Sequence, residues 1–182
     1  MATPLKWVIA LAPLGMAFYM SSRLMSMSVT GAQICLMIFA TLMGLSLSSI
    51  LILFTGESIA RVFFITASTF GAMSVYGHTT KRDLTSMGSF LMMGVIGLFI
   101  ASVVNIFMQS GVLQFVISII GVVVFTLFTA YDSQKIKALY YKTQSNALIT
   151  HKLAIYGSLA LYMDFINIFV FLLQLLGVIR DE

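Results

Sequence analysis

Two aspartates stand inside or beside long apolar stretches of this 182-residue chain, and they are the residues with most chemistry to offer. Asp164 lies about eleven residues, or ~16 Å, into the helix that the last apolar run predicts, near the middle of a bilayer. A bare carboxylate there is costly, so it faces protein or water, or holds a proton. A protonated Asp164 hydrogen-bonded to a neighbouring helix would be a purely structural solution. Asp132 closes the preceding run, where a carboxylate can snorkel to interfacial water or pair with Lys135, three residues on. Two carboxylates on adjacent membrane helices also suit a cation, because they are hard oxygen ligands of the kind Ca²⁺ prefers. In a low dielectric they cannot both ionise cheaply, so a shared proton can gate them.

Other polar residues have simpler readings. Arg23 follows the first apolar run and is first of all an interfacial anchor. Glu57 and Arg61 are spaced i, i+4 behind Thr55-Gly56, which predicts a capped helix start with its own ion pair. His78 and His151 are predicted interfacial loop residues, each beside Lys or Thr. No further His, Cys or carboxylate stands at metal-ligand spacing, so structural zinc and a resident cofactor are not expected. Cys35 is the one cysteine and cannot form an internal bridge. The sequence carries no P-loop, dinucleotide glycine fingerprint or serine nucleophile elbow, and no enzyme is expected.

The elements that must position the aspartates follow from composition. Hydrophobic types make up 60% of the chain, charged types 9%, and the mean hydropathy is +1.04. A soluble domain carries about 25% charged residues, so this is an integral membrane chain whose first partner is the lipid bilayer. A disordered chain, a disulfide scaffold and a nucleic-acid-binding domain are excluded. Residues 7–22, 24–56, 62–80, 84–131 and 165–179 are uncharged. The fourth run would reach ~70 Å as one helix, twice a bilayer core, and breaks where Asn105, Gln109, Ser110 and Gly111 cluster. The prediction is an all-α, polytopic bundle forming one transmembrane domain over 1–182, with helices at about 5–22, 29–54, 58–77, 85–107, 112–132 and 152–178. Gly44 with Ser48, and Ala67 with Gly71, are small-residue pairs that would allow close helix crossings. The widest polar stretch is Ser133 to Lys152.

Orientation follows from the cations. Lys6, Arg61 and Arg180 fall on one side; Arg23, Lys81, Arg82, Lys135, Lys137, Lys142 and Lys152 fall on the other, which is therefore expected to be cytoplasmic. The 133–152 segment is then cytoplasmic and the C-terminus outside. An exported N-terminus without a signal ahead of it points to one further helix before Met1.

Leu161-Tyr162-Met163-Asp164-Phe165-Ile166-Asn167-Ile168-Phe169 resembles the last-helix signature of the Bax inhibitor-1, or transmembrane Bax inhibitor motif, family. Thr129-Ala130-Tyr131-Asp132-Ser133-Gln134-Lys135-Ile136-Lys137 resembles the end of that family's penultimate helix. Gly44-Leu45-Ser46-Leu47-Ser48-Ser49-Ile50 and Gly77-His78-Thr79-Thr80-Lys81-Arg82-Asp83-Leu84 are similar to its bacterial branch. The resemblance runs along the whole chain and begins at the second of the family's seven helices, leaving six visible here.

The resemblance implies a pH-sensitive calcium leak in a bacterial inner membrane. Asp132 and Asp164 would be its pH-sensing pair and transient Ca²⁺ ligands. The basic residue that latches the pair in some members aligns loosely with Arg23. Carboxylates alone would equally suit protons or other cations. Two alternatives stay open. One is a non-conducting protein that acts on other membrane proteins and uses the Asp pair only to lock its bundle. The other is an intramembrane aspartyl protease, which Tyr131-Asp132 resembles. Asp164, however, follows Tyr162-Met163 where that chemistry uses Gly-x-Gly.

Overall fold

The computed structural model describes residues 4–180, without the side chains of residues 4–11, 14 and 49. The Lys6 side chain and the terminal Glu182 thus lie outside the described residues. Six helices follow one another: α1 Pro4–Arg23, α2 Val29–Leu51, α3 Gly56–Thr79, α4 Thr85–Met108, α5 Gly111–Thr143 and α6 Ala147–Leu176. Among the described residues the only β-type pairing is one isolated bridge, Phe54 with Ile179. Among the described residues five helices, α2 to α6, are long and apolar enough to cross a membrane.

Local chemistry explains where the helices start and stop. The first amides of a helix have no intrahelical partners, and side-chain oxygens supply them. Ser28 accepts from the Gly31 N–H, Thr55 from Ser58, Ser110 from Leu113 and Asn146 from Ile149. The break predicted at 105–111 is a tight turn. Gln109 adopts the left-handed conformation at φ 49°, and Asn105 Oδ1 accepts from the Ser110 N–H at 3.1 Å. Glu57 and Arg61 form the expected ion pair, at 3.0 Å.

One boundary differs substantially from expectation. The polar stretch 133–152 is not a loop, and His78 and His151 lie within α3 and α6 rather than in loops. Helix α5 runs eleven residues past Asp132 to Thr143, α6 begins at Ala147, and residues 144–146 make the whole connection. Charge at Lys135, Lys137 and Lys142 marks where the apolar run ends, but these residues are good helix formers and no Gly or Pro interrupts them. Helix α5, at 33 residues, is ~50 Å long against a ~30 Å hydrocarbon core. The cation-bearing ends of α5 and α6 therefore project beyond the apolar layer.

The α5–α6 hairpin is the centre of the bundle. Helices α3 and α4 pack on α5, and α3 and α2 also pack on α6. One core joins Met20 of α1 and Leu24, just past its end, to Phe39 of α2 and to Ile155 and Leu159 of α6. A second joins Val62 of α3 to Ile168, Leu172 and Leu173 of α6, and a third joins Leu98 of α4 to Ile117 and Val124 of α5. Outward-facing side chains such as Phe107, 83% exposed, would be untenable in water and suit a lipid surround.

The small residues at the tight crossings are not the predicted pairs. A Cβ on Gly44 or Gly71 would meet nothing within 4 Å. The close approach is at Gly77 of α3, which lies against the Ala130 backbone of α5.

Both ends of the bundle are stitched. On one, Thr55 N–H donates to the Val178 carbonyl, Val178 N–H to Ser58 Oγ, and Arg180 N–H to the Leu53 carbonyl. On the other, Lys152 Nζ donates to the Met25 carbonyl at 2.7 Å, and Lys137 Nζ to the His78 carbonyl at 2.6 Å.

Candidate functional site

Register places the aspartates. Gly121 lies against Phe171, Ile136 against Gly157, and the Gln114 amide donates to Gln174 at 2.8 Å. These contacts fix α5 and α6 antiparallel, with Asp132 level with Leu161 and Asp164 level with Thr129. The two carboxylates are thus about one turn, ~4.5 Å, apart in height, with Asp132 nearer the cation-bearing end.

Asp164 is buried, at 4% exposure. Its Oδ2 accepts no hydrogen bond from the protein. The residues beside it anchor the helix in two directions. Tyr162 packs edge-on to Phe39 of α2 at 5.7 Å, and Phe165 edge-on to Phe63 and Phe70 of α3 at 5.7 and 5.5 Å. Packing therefore holds Asp164 inside the bundle, where nearly all buried polar atoms have partners.

Asp132 is half-buried. Its surroundings come from four helices. Gly77 of α3 meets Ala130, Gly88 of α4 meets the Tyr131 ring, and Gly157 of α6 meets Ile136. Ser133 Oγ bonds Ser74 Oγ of α3 at 3.0 Å. Gln134 accepts from the Leu84 N–H and donates to the Arg82 carbonyl, both at 2.8 Å, tying the α3–α4 turn to α5.

The expected latch is not assembled. Arg23 is exposed at the end of α1, and among the described residues the only ion pair is Glu57–Arg61. The cation nearest to Asp132 along α5 is Lys135, three residues on. Its ammonium stands 5.6 Å from the Tyr131 ring centroid and 5.7 Å from that of Tyr156 on α6, within cation–π range. Among the described residues no three His, Cys, Asp or Glu side chains gather as a metal centre.

Sequence reading missed the hydroxyl side of this site. Thr129 is fully buried and donates to the Phe125 carbonyl, while Thr126 Oγ1 is buried without a partner. The available signal was three hydroxyl residues, Thr126, Thr129 and Ser133, at helical spacing beside Asp132 in an otherwise apolar run. The arrangement is a lone buried carboxyl, a half-buried carboxyl one turn nearer the bundle end, and unsatisfied oxygen between helices. It can hold a proton or coordinate a passing cation with few ligands.

Comparison with known proteins is consistent along the chain. The family model described as inhibitor of apoptosis-promoting Bax1 matches residues 1–181. A Rickettsia prowazekii protein is 51% identical over 174 residues, spanning 96% of this chain and 73% of its own. A Caulobacter vibrioides protein is 42% identical over 179 residues, spanning 98% and 72%. The inner membrane protein YbhL of Escherichia coli K12 is 42% identical over 168 residues, spanning 92% and 72%.

Proposed function

The chain belongs to the Bax inhibitor-1 family of membrane proteins, and from that membership we propose that it is a pH-sensitive calcium leak of a bacterial inner membrane, gated by Asp132 and Asp164. The observation that carries this reading is the buried, unpaired Oδ2 of Asp164, about one helical turn in height from Asp132 on the adjacent helix. With a proton shared between the two carboxyls, α5 and α6 stay closed on one another. With both ionised, repulsion loosens the pair and frees oxygen ligands for a cation. Ca²⁺ takes six to eight oxygens when stably bound, so two carboxylates and nearby hydroxyls would pass the ion rather than store it.

A clamping cation would be Arg23, swung in from the end of α1, or Lys135, already on α5. Charge-removing variants at each position separate the two. In this reading the cation-rich end, with residues 144–146, faces the cytoplasm, and the protein is not an enzyme.

Calcium flux into proteoliposomes tests the proposal. Flux that depends on pH, and loses that dependence when either aspartate becomes asparagine, supports it. Absence of flux in liposomes carrying the folded protein would instead favour a non-conducting protein acting on other membrane proteins, with the Asp pair as a structural lock.

A further inference from the structure

A cavity of about 530 Å³ opens between α3, α5 and α6 at the cation-bearing end of the bundle. It falls within the ~300–1,000 Å³ of small-molecule sites. Its walls are apolar at Val75, Ile136 and Leu161. Lys137 and His78 line it together with the hydroxyl residues Ser74, Thr79, Ser133, Tyr140 and Tyr141, while no acidic side chain does. Val75 and Tyr141 are 62% and 60% exposed, so the cavity is open to whatever surrounds the bundle.

Lys137 is poised rather than free. One of its three ammonium protons goes to the His78 carbonyl at 2.6 Å, which fixes the head group at the rim. Two donors remain for an acceptor in the cavity. Lys81 and Arg82 lie in the α3–α4 turn that follows His78. The one acid of that turn, Asp83, is occupied by Thr85, whose N–H donates to Oδ1 at 2.9 Å.

Two other cavities lack part of this combination. The α1–α6 cavity, about 320 Å³, is lined by no charged residue. The α4–α5 cavity, about 220 Å³, carries Lys135 and Lys142 but is smaller.

We infer that the α3–α5–α6 cavity binds one anionic phospholipid, with its phosphate on Lys137 and the Tyr141 hydroxyl and an acyl chain along Val75, Ile136 and Leu161. The chemistry recognised is a phosphate oxyanion. The apolar walls, on a chain that lives in lipid, commit the occupant to a lipid rather than free phosphate. Basic pockets between membrane helices and interfacial Tyr side chains recur where such head groups bind. The inference is independent of the aspartate pair.

The test is native mass spectrometry of the whole protein released from detergent, with equal amounts of phosphatidylglycerol and phosphatidylethanolamine of matched acyl chains. Wild type should retain one phosphatidylglycerol in preference. Lys137→Gln should lower that preference about fivefold, the worth of one cation near an anionic surface. Lys137→Arg should keep it, and Lys142→Gln, in the other cavity, should leave it within about twofold. No preference in wild type would overturn the site whatever the variants do. An equal loss in Lys142→Gln would overturn it in favour of diffuse attraction. Displacement of the lipid by an equal concentration of sodium phosphate would overturn the lipid as occupant.

Discussion

Gly77 of α3 and Ala130 of α5 meet backbone to backbone, two residues before Asp132, with no room for a side chain between them. This crossing sets the distance between the helices that enclose the half-buried carboxyl. Gly77→Ala should therefore destabilise by about 1–3 kcal/mol, as overpacking does, although alanine is the better helix former. Gly71→Ala, in open space on the same helix, should leave stability unchanged or raise it by up to ~1 kcal/mol. Thermal unfolding in detergent compares the two, and equal midpoints would show that the crossing yields.

The proposed gate predicts that Asp132→Asn and Asp164→Asn each flatten the pH profile of calcium flux in proteoliposomes. Asparagine nearly keeps the shape and removes the titrating proton, so packing loss does not explain a flattened profile. Wild-type pH dependence in both single variants would make the pair structural.

The strap that ties the end of α6 to the start of α3 hangs on Ser58, whose buried Oγ accepts from the Val178 N–H at 2.9 Å. Ser58→Ala should cost about 1 kcal/mol and speed hydrogen exchange at Val178 and Thr55, while exchange at the centre of α5 stays unchanged. Unaltered exchange at Val178 would mean that the strap is held elsewhere.

Asp83, in the α3–α4 turn, is held below its ordinary value of 3.8 by the Thr85 side chain and then by the Thr85 backbone N–H. A carboxyl lowered on folding stabilises the turn above its unfolded value, and that stabilisation is lost as pH falls through the folded one. A carboxyl titration by NMR should place the Asp83 midpoint below 3.8, and Thr85→Ala should return it upward. Identical midpoints in both proteins would remove Thr85 as the cause.

The proposed orientation predicts that a label on Gln144, in the short α5–α6 connection, reacts only with reagents that reach the cytoplasm, when a cysteine is placed there in a Cys35→Ser background. Labelling from outside in intact cells would reverse the assignment.

Much of this protein is local and is written in its sequence. Apolar run lengths determine the helices, because a bilayer demands continuous apolar surface and satisfied backbone groups. The turn at Gln109, the Thr55 cap and the Glu57–Arg61 pair follow from contacts within a few residues, so their residue types suffice to find them. The aspartates stand out because a carboxylate in an apolar run is costly wherever the bundle places it. Hydropathy could not say where α5 ends, since it reports where the apolar layer stops and not where helical hydrogen bonding stops.

The remainder depends on the register and crossing of helices distant in sequence. Gly44, Gly71 and Gly77 are alike in local sequence, yet only Gly77 meets another backbone. That depends on how α3 lies across α5. The same packing takes Lys137 to the His78 carbonyl, leaves Arg23 exposed and without an ion pair to either aspartate, and buries Asp164 Oδ2 without a donor. Each is a distance between helices, and a linear pattern of residue types carries no such distance until side-chain shapes have chosen one packing.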